Sequence, residues 1–151
     1  MAEKVLQPYF EVPNYKPANQ QEQDCINELV QNTVKNYTAT NAAGKARIEK
    51  AKKLKDEGNK NIGSNVQAAI KYYQDAIFYC PESQKELIVA LYSNLAEAYS
   101  RLKATLKDPK AKEEVNWKII KWSTRAQCQE PRHMKTLWKR ACALCDLGLW
   151  R

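Results

Sequence analysis

The chain is poor in histidine: His133 is the only one among 151 residues. One imidazole cannot build a His-rich metal site. No Gly-rich phosphate loop and no nucleophile elbow occurs, so no catalytic constellation is visible. Four glycines and six prolines point away from a fold rich in tight turns and toward long helices. Val, Ile and Thr never alternate cleanly with polar residues, which removes the signature of half-buried strands. No stretch approaches the roughly 18 apolar residues of a membrane-spanning helix. The first residues, Met-Ala-Glu-Lys-Val-Leu-Gln-Pro, lack the apolar run of a signal peptide. The five cysteines are odd in number and, without a secretion signal, are expected to be reduced thiols in a cytoplasmic protein. The expectation is an all-α fold.

What is present is charge on a foldable background. The chain is 44% hydrophobic and 28% charged, with a formal net charge of +8. Residues 1–44 hold three Lys against five acids, whereas the remainder carries a net +10. Such a body favours an anionic partner, whether nucleic acid, acidic lipid or acidic peptide.

Periodicity divides the chain. Pro8, Pro13 and Pro17 make residues 1–18 an extended or disordered leader. Asn19 and Glu22 have the spacing of a helix start, and Ile26, Leu29, Val30, Val34 and Tyr37 then share one face. Residues 38–44 read as a linker, which closes an extra helical segment over 19–44. A Lys-rich helix is predicted over about 45–62, and Gly63–Asn65 is a turn. A helix over about 65–80 carries Val66, Ile70, Tyr73 and Ile77 on one face and ends at Pro81. Ser83 and Glu86 form a capping box for a helix reaching about residue 104, striped by Ile88, Leu91, Tyr92, Leu95, Tyr99 and Leu102. Asp108–Pro109 suits an N-cap with proline at the first helical position. The helix after it stops before Pro131. The last helix is expected to bury Met134, Leu137, Trp138, Ala141, Leu144 and Cys145 and to end near Gly148.

Antiparallel helices punctuated by proline direct attention to repeats. The run Ala69-Ile70-Lys71-Tyr72-Tyr73-Gln74-Asp75-Ala76-Ile77, followed by Pro81, resembles the second helix of a tetratricopeptide (TPR) unit. Tyr92-Ser93-Asn94-Leu95-Ala96-Glu97-Ala98-Tyr99 resembles the first helix of the next unit, Ile119–Pro131 its second helix, and Trp138–Gly148 the first helix of a third. The resemblance covers about 47–149. Pro81 and Pro131 lie farther apart than the simple repeat of about 34 residues allows. The excess is placed before Tyr92 and around Lys103–Asn116. The implied architecture is a TPR-like antiparallel helix-turn-helix solenoid over 45–151, with about two and a half repeats and an extra N-terminal helix.

Leu54-Lys55-Asp56-Glu57-Gly58-Asn59-Lys60 is similar to the opening helix of carboxylate-clamp TPR domains. These co-chaperone modules bind the seventy- and ninety-kilodalton heat-shock proteins through acidic tails ending Glu-Glu-Val-Asp. The family's clamp positions correspond to Lys55, Asn59, Asn94, Lys135 and Lys139, and Arg101 stands where a further basic groove residue is often added. The resemblance implies a chaperone-binding adaptor in which Lys and Asn side chains converge on the terminal carboxylates. Residues four apart share a helix face, and charge-assisted hydrogen bonds are worth about 1.5–3 kcal/mol each. Less the ordering of a floppy tail, three or four of them suggest micromolar binding, about −8 kcal/mol. Lys139 stands where Arg is common, which keeps the charge and loses the planar fork. Glu97 and Asp146 fall where they can also face the groove, and would repel an acidic tail unless paired with nearby Lys.

Other motifs read more plainly. Cys142 and Cys145 form a CxxC pair but lack two further ligands, so they are expected to be small buried thiols. His133 is expected at the surface of a first helical turn, and the four tryptophans in the core. No cofactor, metal or enzymatic activity is implied. Two rival functions remain: a basic helical repeat binding nucleic acid, and a scaffold TPR binding an internal peptide. The Lys residues of 45–60 have no interleaved aromatics to stack bases, which makes nucleic acid the less favoured partner. The last unit ends after one helix, so the chain is expected either to be part of a longer protein or to self-associate through that uncapped helix. The 19–38 helix is expected to cap the other end.

Overall fold

A computed structural model describes residues 19–38 and 42–149. The predicted leader over 1–18 and Trp150 lie outside them. The described residues form six helices and no strand. They are α1 (Gln20–Thr38), α2 (Ala42–Asn61), α3 (Val66–Tyr79), α4 (Lys85–Thr105), α5 (Pro109–Gln129) and α6 (Met134–Asp146). Among the described residues no helix is long and apolar enough to cross a membrane.

From α2 onward, each helix packs on the next in the chain, and α4 also touches α6. Local chemistry sets most of the boundaries. Asn65 caps α3, its side chain accepting from the Ala68 amide at 3.1 Å. Asp108 caps α5 in the same way, accepting from the Ala111 amide at 3.0 Å, with Pro109 opening the helix. Two starts differ from the sequence reading. The linker expected at 38–44 is shorter, because α2 already begins at Ala42. Alanine is the strongest helix former, and Ala42–Ala43 carry the helix back through Gly44. Helix α4 starts one residue later than the capping box at Ser83 predicts. The N-cap is Gln84, which makes no side-chain cap bond, and α4 starts at Lys85.

The core is made where small residues let helices approach. Ala51, Ala69, Ala76, Ala96, Ala98, Ala126 and Ala143 are all fully buried. Between them sit the large side chains Tyr73, Ile88, Leu91, Leu95 and Ile119, each worth about 1.5–3 kcal/mol on burial. Helix α4 is buried along most of its length, from Ile88 to Tyr99, because α3, α5 and α6 all pack on it. The extra residues seen around 103–116 are not a long loop. They lengthen α4 to Thr105 and begin α5 at Pro109, leaving three residues between.

Polar contacts tie helix α1 to the rest of the fold. Glu28 pairs with Arg125 of α5 at 2.7 Å, and Asn32 makes a long 3.5 Å hydrogen bond to Glu82. Its contact with α2 is slight. Its Leu29 stays 63% exposed, while Ile26 and Val30 are half-buried. The expected buried face of α6 is also open. Met134 is 75% and Trp138 69% exposed, with Leu137 and Cys145 exposed and Ala141 and Leu144 half-buried. The stripe is amphipathic as predicted, but no described residue covers it. Trp117 is likewise exposed, and of the three described tryptophans Trp122 packs on the core, stacked on Tyr92.

Candidate functional site

Polar side chains of helix α4 meet those of α2 at one point and those of α6 at another. On α2, Lys55 and Asn59 lie one turn apart. Asn59 is fixed from behind. The Tyr73 hydroxyl of α3 donates to Asn59 Oδ1 at 2.8 Å. The Asn94 amide of α4 donates to the same oxygen at 3.2 Å. With Oδ1 engaged twice, Asn59 Nδ2 retains two donors for a ligand. Tyr73 is the residue that sequence reasoning counted only as core. The signal was there: a hydroxyl-bearing ring on an otherwise apolar face needs a partner when buried. Burial raises the Tyr73 pKa, with Arg101 opposing and Glu97 reinforcing the shift, so the phenol stays a donor at neutral pH.

One turn beyond Asn94 the face becomes ionic. Glu97 accepts from Arg101 Nε on its own helix at 3.0 Å through Oε1. Its other oxygen, Oε2, meets Lys139 Nζ of α6 at 2.7 Å. Partial burial alone would raise the Glu97 pKa. The hydrogen bonds from Lys139 and Arg101, with the charges of Lys139 and Lys135, outweigh it and hold the carboxyl below its ordinary value. Lys135 is exposed on α6 one turn before Lys139, and Lys55 is half-buried on α2. Neither is ion-paired to a described residue.

The sequence-derived positions are therefore partly joined. Asn59 and Asn94 touch, and Arg101, Lys139 and Lys135 surround Glu97. Lys55 shares the α2 face with Asn59 but has no bond to the rest of the set. Asp146 does not join them. It forms an ion pair with Lys103, whose ammonium also donates to Asn116 of α5 at 3.0 Å. Of the two acids flagged in the sequence, only Glu97 enters the constellation, and it is paired.

This face holds donors and cations and one carboxylate, which suits an anionic ligand with oxygen acceptors. Among the described residues no cluster of three His, Cys, Asp or Glu side chains is placed to hold a metal. His133 stands at the N-cap position of α6 without a side-chain cap bond, its Nδ1 lying 3.1 Å from Thr136 Oγ1. Elsewhere, the Lys50 ammonium of α2 lies 4.0 Å from the centre of the Tyr79 ring and donates to its hydroxyl at 2.9 Å. That pair ties one of the basic residues of α2 to α3.

No protein-family model, no curated protein and no solved structure matches the chain.

Proposed function

We propose that the chain is a TPR-type carboxylate-clamp module that binds the free C-terminal carboxylate of an acidic tail, of the Glu-Glu-Val-Asp kind carried by heat-shock chaperones. One observation carries this reading. Asn59, Asn94, Arg101, Lys135 and Lys139 come from three different helices and meet on one face, with Asn59 bonded to Asn94 at 3.2 Å. A TPR arrangement would bring first helices of successive units together in this way, and the packing of each helix on its neighbour with α4 reaching α6 is compatible with it. In this reading Asn59 Nδ2 and the Lys55 ammonium take the terminal carboxylate. Lys135, and Lys139 once released from Glu97, take the acids upstream of it.

Partners of this kind make the chain an adaptor or co-chaperone module working in the cytoplasm. The test is a binding titration with such a tail as free acid and as C-terminal amide. A clamp requires the acid to bind at about micromolar affinity and the amide to lose most of it. A nucleic-acid binder would show a steep salt dependence without end-group preference. A scaffold for internal peptides would bind both forms alike.

A further inference from the structure

The carboxylate of Glu97 is used on both oxygens, each by a cation from a different helix. Arg101 of α4 lies at 3.0 Å and Lys139 of α6 at 2.7 Å. The pair with Lys139 is well shielded, its side chains 19% and 22% exposed. An arriving ligand carboxylate would ask for the same arrangement. The free protein already fills it from within.

We propose that Glu97 is a built-in competitor for the ligand's carboxylates: it occupies Arg101 and Lys139 in the free protein and is displaced from Lys139 when an acidic tail binds. The inference rests on the carboxylate-binding reading given above. Exchanging one carboxylate for another gains little, because the cation is satisfied before and after. Net attraction must come from cations that Glu97 does not hold, namely Lys55 and Lys135. The ligand class is therefore a tail carrying at least two carboxylates, one for the Lys55–Asn59 end and one for the α6 end. A peptide with a single acid engages only one of Lys55 and Lys135, because Arg101 and Lys139 are already neutralised by Glu97. Glu97 thereby lowers affinity for any anion and raises discrimination in favour of multiply acidic tails.

Two variants of the whole chain test this, with binding of a Met-Glu-Glu-Val-Asp peptide measured by calorimetry as free acid and as amide. Glu97→Gln keeps shape and removes the competing charge. It is expected to bind the acid about tenfold tighter, the effect of one released charge-assisted bond. Glu97→Asp keeps the charge but is one methylene too short to span both cations. It is expected to tighten binding by about threefold, a gain that simple repulsion by a carboxylate would not give. Thermal melts establish that each variant is folded, and Glu97→Asp carries the test alone should Glu97→Gln not fold. If wild type prefers the acid but Glu97→Gln binds no tighter, or Glu97→Asp stays at or below wild-type affinity, the competitor role is overturned and the clamp stands. Weakened binding by Glu97→Gln would assign Glu97 a direct contact to the ligand instead. If no form of the protein prefers the acid over the amide, the clamp itself falls, and the competitor role falls with it.

Discussion

The ring of Tyr73 fills the space that a side chain on Gly58 would need. A Cβ built on Gly58 would stand 2.5 Å from Tyr73 Cε1 and 2.7 Å from Cδ1. The same ring carries the hydroxyl that holds Asn59, the next residue along α2, at 2.8 Å. The tight fit of α3 against Gly58 of α2 and the orientation of a candidate binding residue therefore share one ring.

Substituting Gly58→Ala should push the Tyr73 ring away. Alanine is the better helix former by about 1 kcal/mol, yet overpacking here costs about 1–3 kcal/mol. The net expectation is a melting temperature lower by a few degrees, at about 2–4 °C per kcal/mol for a chain of this size. An unchanged or higher melting temperature would mean that the ring moves aside freely.

Tyr73→Phe separates packing from orientation. The ring stays and the bond to Asn59 is lost, at about 0.5–1.5 kcal/mol of stability. Asn59 is then held by Asn94 alone. Binding of an acidic tail should weaken severalfold through the lost orientation of Asn59.

The Glu97 ion pairs predict a direction for pH. The folded carboxyl sits below its ordinary value of 4.5. Its stabilisation is therefore fully present above that value and is lost as pH falls through the lower folded one. Melting curves of wild type and Glu97→Gln should differ most at about pH 6 and above and converge in acid, as the pair is protonated away. A gap that widened on acidification would contradict the pairing.

Asp108 supplies a purely structural check. Its carboxylate accepts from the Ala111 amide at 3.0 Å. Asp108→Ala should cost about 1 kcal/mol, lowering the melting temperature by about 2–4 °C, and should leave peptide binding untouched.

Local chemistry was legible in the sequence, and long-range pairing was not. Asp108–Pro109 and Pro81 marked their boundaries because capping and proline act within a few residues. Ala42–Ala43 lie in helix α2 and not in a linker, because small residues carry no apolar periodicity to mark a helix. The stripe Met134, Leu137 and Trp138 was correctly seen as apolar, but periodicity says nothing about which element covers a face, and here none of the described residues does. Asn59, Asn94, Arg101, Lys135 and Lys139 correspond to positions of the clamp family that the sequence resembles. That Glu97 joins Arg101 to Lys139, and that Tyr73 stands behind Asn59, depended on contacts between helices far apart in sequence, which no spacing within a helix encodes. The pairing of Asp146 with Lys103, away from that face, was hidden for the same reason.

The most direct test of the central claim is calorimetric titration of this chain with a peptide ending Met-Glu-Glu-Val-Asp, as free acid and as amide, at roughly physiological ionic strength, where surface charge is screened beyond about 8 Å. The account predicts micromolar binding of the acid, at about −8 kcal/mol, that collapses for the amide and for Asn59→Ala or Lys135→Glu. Equal affinity for the two peptide ends, or binding indifferent to both substitutions, would contradict it.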